Sequence, residues 1–188
     1  MQQVFLIRHP KPDIAPGICY GNSDIQPNAN ALQSAFIWLD ALLPKPIKII
    51  SSPLTRCAQL AMRLGGQAPR SCEFDLRLAE RNCGAWELQA WDQVPRAELD
   101  AWAENFIDYA APGAESVRQM QTRVLAAWAD YAACPTLAVV SHAGPIQVLL
   151  THLAGAQLSA TPIMDIPCGA AVLLTKKQSR WEFSRLAC

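Results

Sequence analysis

Apolar residues fall along this chain in two rhythms. Short, mostly apolar stretches rich in β-branched side chains stand at Val4–Ile7, Ile47–Ile50 and Leu137–Val140. Stretches of that kind are expected as strands buried on both faces of a sheet. Between them apolar residues recur at helical spacing. Leu32, Phe36, Leu39 and Leu43 predict a helix over Ala31–Leu43, stopped by Pro44. Ser52 is placed to cap a second helix whose first residue is Pro53, with Leu54, Cys57, Ala61 and Leu64 on one face and Gly65-Gly66 at its end. Leu99, Trp102 and Phe106 mark a helix over about 95–107. Val117, Met120, Val124, Trp128 and Tyr131 mark a long amphipathic one over Ser116–Ala133. A last helix is expected to begin at Pro145. Cys72–Leu76 reads as a further strand, Leu78–Val94 as loop, and Ala170–Thr175 with Trp181–Leu186 as a closing hairpin. Strands alternating with helices predict a three-layer α/β/α fold around a mostly parallel central sheet. No repeat, low-complexity tract or linker interrupts the pattern, so 1–188 reads as one domain.

Length and composition narrow the function classes. A chain of 188 residues buries ~70% of the surface its unfolded form exposes, so it needs no disulfide or metal staples. Sixteen basic residues balance sixteen acidic ones, which argues against a nucleic-acid footprint or a polybasic membrane patch. No apolar run is long enough to cross a bilayer. The chain opens directly on a strand, and no secretory leader is expected. Seven cysteines are scattered without a C-x-x-C, and with three histidines no zinc-ligand spacing appears. Free thiols in a cytoplasmic protein are the expectation.

One local pattern occurs three times. An apolar strand ends, a polar turn follows, and a basic residue is presented: Leu6-Ile7-Arg8-His9, Ile49-Ile50-Ser51-Ser52-Pro53-Leu54-Thr55-Arg56, and Val139-Val140-Ser141-His142. Pro10 and Pro12 stop the first strand and hold His9 extended at its tip. Ligands of open α/β sheets bind beyond the carboxyl ends of the strands. If these strands are neighbours, Arg8, His9, Arg56 and His142 meet at one rim, with Arg56 in the first turn of its helix, where free N–H groups favour an anion. Such a set describes a phosphate pocket. His9 is the candidate nucleophile, kept neutral by neighbouring positive charge. Glu80 is the first candidate for the proton donor and Glu87 the second. The glycine-bearing loop Gly17–Asp24 can approach a ligand closely, and its Tyr20 and Ser23 are candidate contacts to phosphate or substrate. Each residue alone also has an ordinary structural reading. His152, in the body of a helix, is read as structural or exposed.

These residues resemble the histidine phosphatase superfamily, also called phosphoglycerate mutase-like. The R-H-G motif appears as Arg8-His9-Pro10, S-S-x-x-x-R as Ser51–Arg56, and L-x-E as Leu78–Glu80. G-x-W-E appears as Gly84–Glu87, P-G-G-E-S as Pro112–Ser116, and S-H-x-G as Ser141–Gly144, in the family's order. The resemblance implies a phosphoglycerate mutase-like fold, one histidine phosphatase domain and hydrolysis of phosphomonoesters. By it His9 becomes the phosphohistidine, Arg8, Arg56 and His142 hold the phosphoryl oxygens, and Glu80 is acid and then base. It implies no metal or other cofactor and a small phosphorylated substrate as partner. The Gly17–Asp24 loop looks most like the members called α-ribazole phosphatases, which act in cobalamin assembly. Pro10 stands where a glycine is usual and removes one backbone donor, and Ala114 also replaces a glycine.

Three rivals remain. A mutase of this superfamily is usually longer, with insertions that enclose the substrate. A phosphate-binding module without catalysis would be expected to lose His9 or the acid. Cys57–Arg63 formally matches C-x-x-x-x-x-R, but the stretch lacks glycine and reads as continuous helix, so it cannot cradle phosphate.

Overall fold

The computed structural model describes residues 2–66, 70–178 and 180–186. In chain order the elements are β1 (Gln2–Arg8), β2 (Ile18–Cys19), α1 (Ala29–Leu42), β3 (Ile47–Ser51), α2 (Thr55–Gly65), β4 (Arg70–Phe74), β5 (Gln89–Ala90), α3 (Arg96–Glu104), α4 (Val117–Tyr131), β6 (Thr136–Ser141), α5 (Ala143–Leu153), β7 (Ala171–Lys177) and β8 (Arg180–Leu186). Six strands form one sheet in the order β4-β3-β6-β1-β7-β8. Pairing is parallel from β4 to β1, while β7 runs antiparallel to both of its neighbours.

The uninterrupted apolar character of β1 has a direct cause. Val4 and Leu6 pack with α4 and α5 on one face, and Phe5 and Ile7 pack with α1 and α2 on the other. Both faces are covered, so neither set can be polar. β6 divides in the same way, Leu137 and Val139 against Ala138 and Val140. The result is the three-layer α/β/α architecture. The register sets Arg8 beside Ser141 and Ser51 beside Val140. The carboxyl ends of β1, β6 and β3 therefore lie side by side.

Several boundaries differ from the sequence reading. α2 begins at Thr55, capped at Leu54, because Ser52 spends its hydroxyl on the Leu54 amide at 3.2 Å before the helix starts. The helix instead receives a side-chain cap from a distant loop: Asp24 accepts from the Thr55 amide at 2.7 Å and from its hydroxyl at 2.6 Å. α5 begins at Ala143, with Pro145 inside its first turn. α3 ends at Glu104, and Tyr131 is half-buried.

The stretch read as loop after Leu78 contains structure of its own. Gln89 and Ala90 pair antiparallel with Cys19 and Ile18, joining two long excursions into one wall beside the strand ends. Beneath it lies a separate apolar cluster of Cys19, Cys83, Trp86, Val94 and Ala111. The described cysteines are all free thiols, and Cys188 lies outside the described residues. Among the described residues, no helix is long and apolar enough to cross a membrane.

Candidate active site

His9 follows β1 directly, and its amide donates to the Ser141 carbonyl at 3.0 Å. Only 1% of the residue is exposed. Its Nδ1 lies 2.7 Å from the Pro10 carbonyl oxygen. A carbonyl can only accept, so Nδ1 carries the proton and Nε2 presents its lone pair. Burial is the main force that holds the His9 pKa down to about 3; Arg56 and Arg8 push the same way, and the bond to Pro10 opposes them. The sequence reading expected positive neighbours to keep the ring neutral, whereas desolvation is the larger cause. Pro10 removes an N–H, yet its carbonyl fixes the tautomer.

His142 stands between β6 and α5 as the helix N-cap, fully buried. Its ring centroid lies 5.1 Å from that of His9. Nε2 is 2.8 Å from the Ser52 hydroxyl and 3.4 Å from the Cys57 sulfur. The ring is also held well below its ordinary pKa, by burial first and then by His9, Arg56, Arg123 and Arg8.

Arg56 lies in the first turn of α2 and is 0% exposed. It donates to the carbonyls of Ser23 and Gly21, each at 2.7 Å, and its guanidinium lies 5.2 Å over the Tyr20 ring. Arg8 donates to the Ile166 carbonyl at 2.7 Å. Each arginine also buries an Nε–H that has no protein partner. Buried donors are almost always paired, so these two leave unused donor capacity on the two arginines that act on His9.

The Gly17–Asp24 loop serves this arginine. Gly21 has φ +35°, and a Cβ there would meet Glu87 Oε1 at 2.7 Å and Arg81 O at 2.8 Å. Only glycine allows so close a turn. Glu87 accepts from the Asn22 amide at 2.9 Å, from the Cys83 amide at 2.8 Å, and from the Ser23 hydroxyl. Ser23 therefore has contacts other than the phosphate contact expected of it: its hydroxyl meets Glu87 and its carbonyl meets Arg56. Tyr20 meets the site through its ring face on Arg56.

Glu80 is half-buried at the mouth of the site. Its carboxylate accepts from the Arg81 amide at 2.9 Å and from the Gly144 amide at 3.3 Å. Gly144 is two residues beyond His142, so Glu80 reaches the start of α5. Arg123 fixes the backbone that carries it, donating to the carbonyls of Arg77 at 2.8 Å, Ala79 at 2.7 Å and Glu80 at 3.0 Å while paired with Glu115. The sequence reading missed Arg123. Its signal was present: it shares a helix face with Met120 and Ala127, an arginine on an apolar stripe. Arg8, His9, Arg56 and His142 thus lie together, Glu80 stands at their edge, and Glu87 lies behind the loop. His152 is exposed near the far end of α5. Among the described residues, no group of three or more His, Cys, Asp or Glu side chains stands together as a metal site.

The family model for the histidine phosphatase superfamily (branch 1) matches residues 4–188. No protein of curated function matches by sequence. Among solved structures, mycobacterial glucosyl-3-phosphoglycerate phosphatase superposes with a TM-score of 0.83 at 22% identity, covering 98% of each chain. A putative α-ribazole-5′-P phosphatase from Escherichia coli gives 0.84 at 21%, covering 100% of this chain and 96% of that one. The α-ribazole phosphatase of Shigella flexneri gives 0.84 at 19%, covering 98% and 96%. With the family model spanning nearly the whole chain, and Arg8, His9, Arg56 and His142 of the quoted motifs gathered at one rim, the chain belongs to the histidine phosphatase superfamily, branch 1.

Proposed function

We propose that this protein hydrolyses phosphomonoesters through a phosphohistidine on His9, without a metal, and that α-ribazole 5′-phosphate is a substrate to test first. One observation carries the reading: a buried, neutral histidine with a defined free Nε2, near two arginines that each keep an unpaired Nε–H. Nε2 attacks phosphorus while the bond to the leaving oxygen breaks and Glu80 supplies that oxygen with a proton. Glu80, now a carboxylate, takes a proton from water. The water oxygen attacks phosphorus, the N–P bond breaks, and inorganic phosphate leaves with His9 restored. Arg8 and Arg56 neutralise the phosphoryl oxygens in both steps, with His142 beside them as a neutral hydrogen-bonding group. The α-ribazole reading draws on the loop at Gly17–Asp24 and on what two of the superposed structures are called.

The test is turnover of the pure protein, with a chelator present, against α-ribazole 5′-phosphate, 3-phosphoglycerate and a phosphohistidine protein. Hydrolysis is expected to persist in chelator, and an acid-labile phosphoenzyme to accumulate on quenching and vanish in His9→Ala. Activity abolished by chelator and restored by magnesium would overturn the mechanism.

A further inference from the structure

Of the groups that would hold the phosphoryl oxygens, His9, Arg56 and His142 are buried and Arg8 is half-buried, so substrate choice falls to what surrounds the leaving group. A cavity of about 210 Å3 opens directly from Glu80 and Gly144. Its inner wall is Trp102, Phe106, Val117 and Met120, and its outer wall is the chain segment from Leu158 to Pro162. The side chains of Gln147 and Ser159 on these walls are spent on the protein itself. The Gln147 amide donates to the Met164 carbonyl and accepts from the Ile163 amide at 3.1 Å, which pins the outer wall to α5. The Ser159 hydroxyl donates to the Thr161 carbonyl at 2.9 Å. Arg81 stands 5.3 Å over the Trp102 ring. Trp102 Nε1 is buried without a partner.

We infer that this cavity selects phosphomonoesters whose alcohol carries a flat, largely apolar ring system, seated against Trp102 and Phe106. The inference rests on the proposed phosphatase reading and specifies its substrate class. A leaving group made only of sugar or polyol brings several hydroxyls that would lose water against mostly apolar walls, a cost that an attached ring does not incur. A ring gains area burial and aromatic contact with Trp102.

The test compares naphthylethyl phosphate with ethyl phosphate. Both release a primary alkoxide, so the need for an acid is alike and the difference lies in the ring. The naphthyl compound should show kcat/KM at least roughly tenfold higher, equivalent to about 1.4 kcal/mol. Ala160→Phe, an exposed substitution that fills the cavity from its outer wall, should remove that advantage. Phe106→Ala should reduce the advantage in the same direction. Equal rates on the two esters, or a preference for 3-phosphoglycerate over both, would overturn the inference while leaving the phosphatase intact. If nothing is turned over, the phosphatase reading fails. Calorimetry with naphthylethylphosphonate and ethylphosphonate then decides the cavity separately: tighter binding of the first, lost in Ala160→Phe, supports it, and equal binding refutes it.

Discussion

At the scale of single residues, Arg56 and Glu80 do different work and should fail differently. Arg56 is a fully buried charge whose guanidinium is held by two carbonyls, with its Nε–H unpaired. A charge-assisted hydrogen bond is worth ~1.5–3 kcal/mol, so Arg56→Ala should lower kcat/KM at least roughly tenfold. Arg56→Lys should recover only part of it, because an ammonium cannot span both carbonyls and an anion. A phosphate or vanadate soak with the anion away from Arg8 and Arg56 would refute this role. General acid catalysis contributes ~10²–10⁴ in rate, and a stable phenolate needs little of it. Glu80→Gln should therefore be severely slow on an alkyl phosphate and much less impaired on p-nitrophenyl phosphate. Glu87 accepts from the Asn22 and Cys83 amides and the Ser23 hydroxyl and so buttresses the loop whose carbonyls hold Arg56. Glu87→Gln should show a smaller loss, alike on both esters. Exchanged profiles would make Glu87 the acid.

At the scale of elements, the site depends on two helix starts. α2 carries Arg56 but has no cap of its own, and Asp24 supplies one from the other side of the site. Losing a side-chain N-cap costs about 1 kcal/mol. Asp24→Ala should lower the urea midpoint accordingly and also weaken phosphate binding, since the same loop presents Gly21 and Ser23 to Arg56. An unchanged midpoint would mean that the cap is energetically idle. α5 begins against Glu80: a Cβ on Gly144 would strike Glu80 Oε1 and come within 3.0 Å of Met120 Sδ. Gly144→Ala should therefore displace the carboxylate. Steady-state rates should fall roughly tenfold or more on alkyl phosphates and less on p-nitrophenyl phosphate, reproducing the Glu80→Gln profile in milder form. A uniform loss on both esters would place the damage elsewhere.

At the scale of the whole molecule, burying His9 and His142 ties folding to pH. Above about 6.5 both rings are neutral in the folded and the unfolded chain. As pH falls below that value the unfolded chain takes up protons that the buried rings refuse, down to about 3 for His9. The unfolded state then binds more protons, so stability declines with falling pH, by up to about 1.4 kcal/mol per pH unit for each ring. Urea unfolding at pH 7 and pH 5 should show this slope, and a His9→Gln, His142→Gln variant should flatten it; an unchanged slope would contradict the burial. The sequence by itself determined the layers and the rim. Apolar runs flanked by turns define β1, β3 and β6, and a basic residue after each predicts where charge collects, because strand and helix periodicities are local properties. What only the tertiary structure decided depends on contacts distant in sequence. The pairing of β2 with β5, the Asp24 cap on α2, the Arg123 clamp beneath Glu80 and the Ser23 carbonyl on Arg56 each join residues more than thirty positions apart. Nor could residue types alone show that burial, more than neighbouring charge, keeps His9 neutral: desolvation belongs to the packed interior, which exists only once both faces of the sheet are covered.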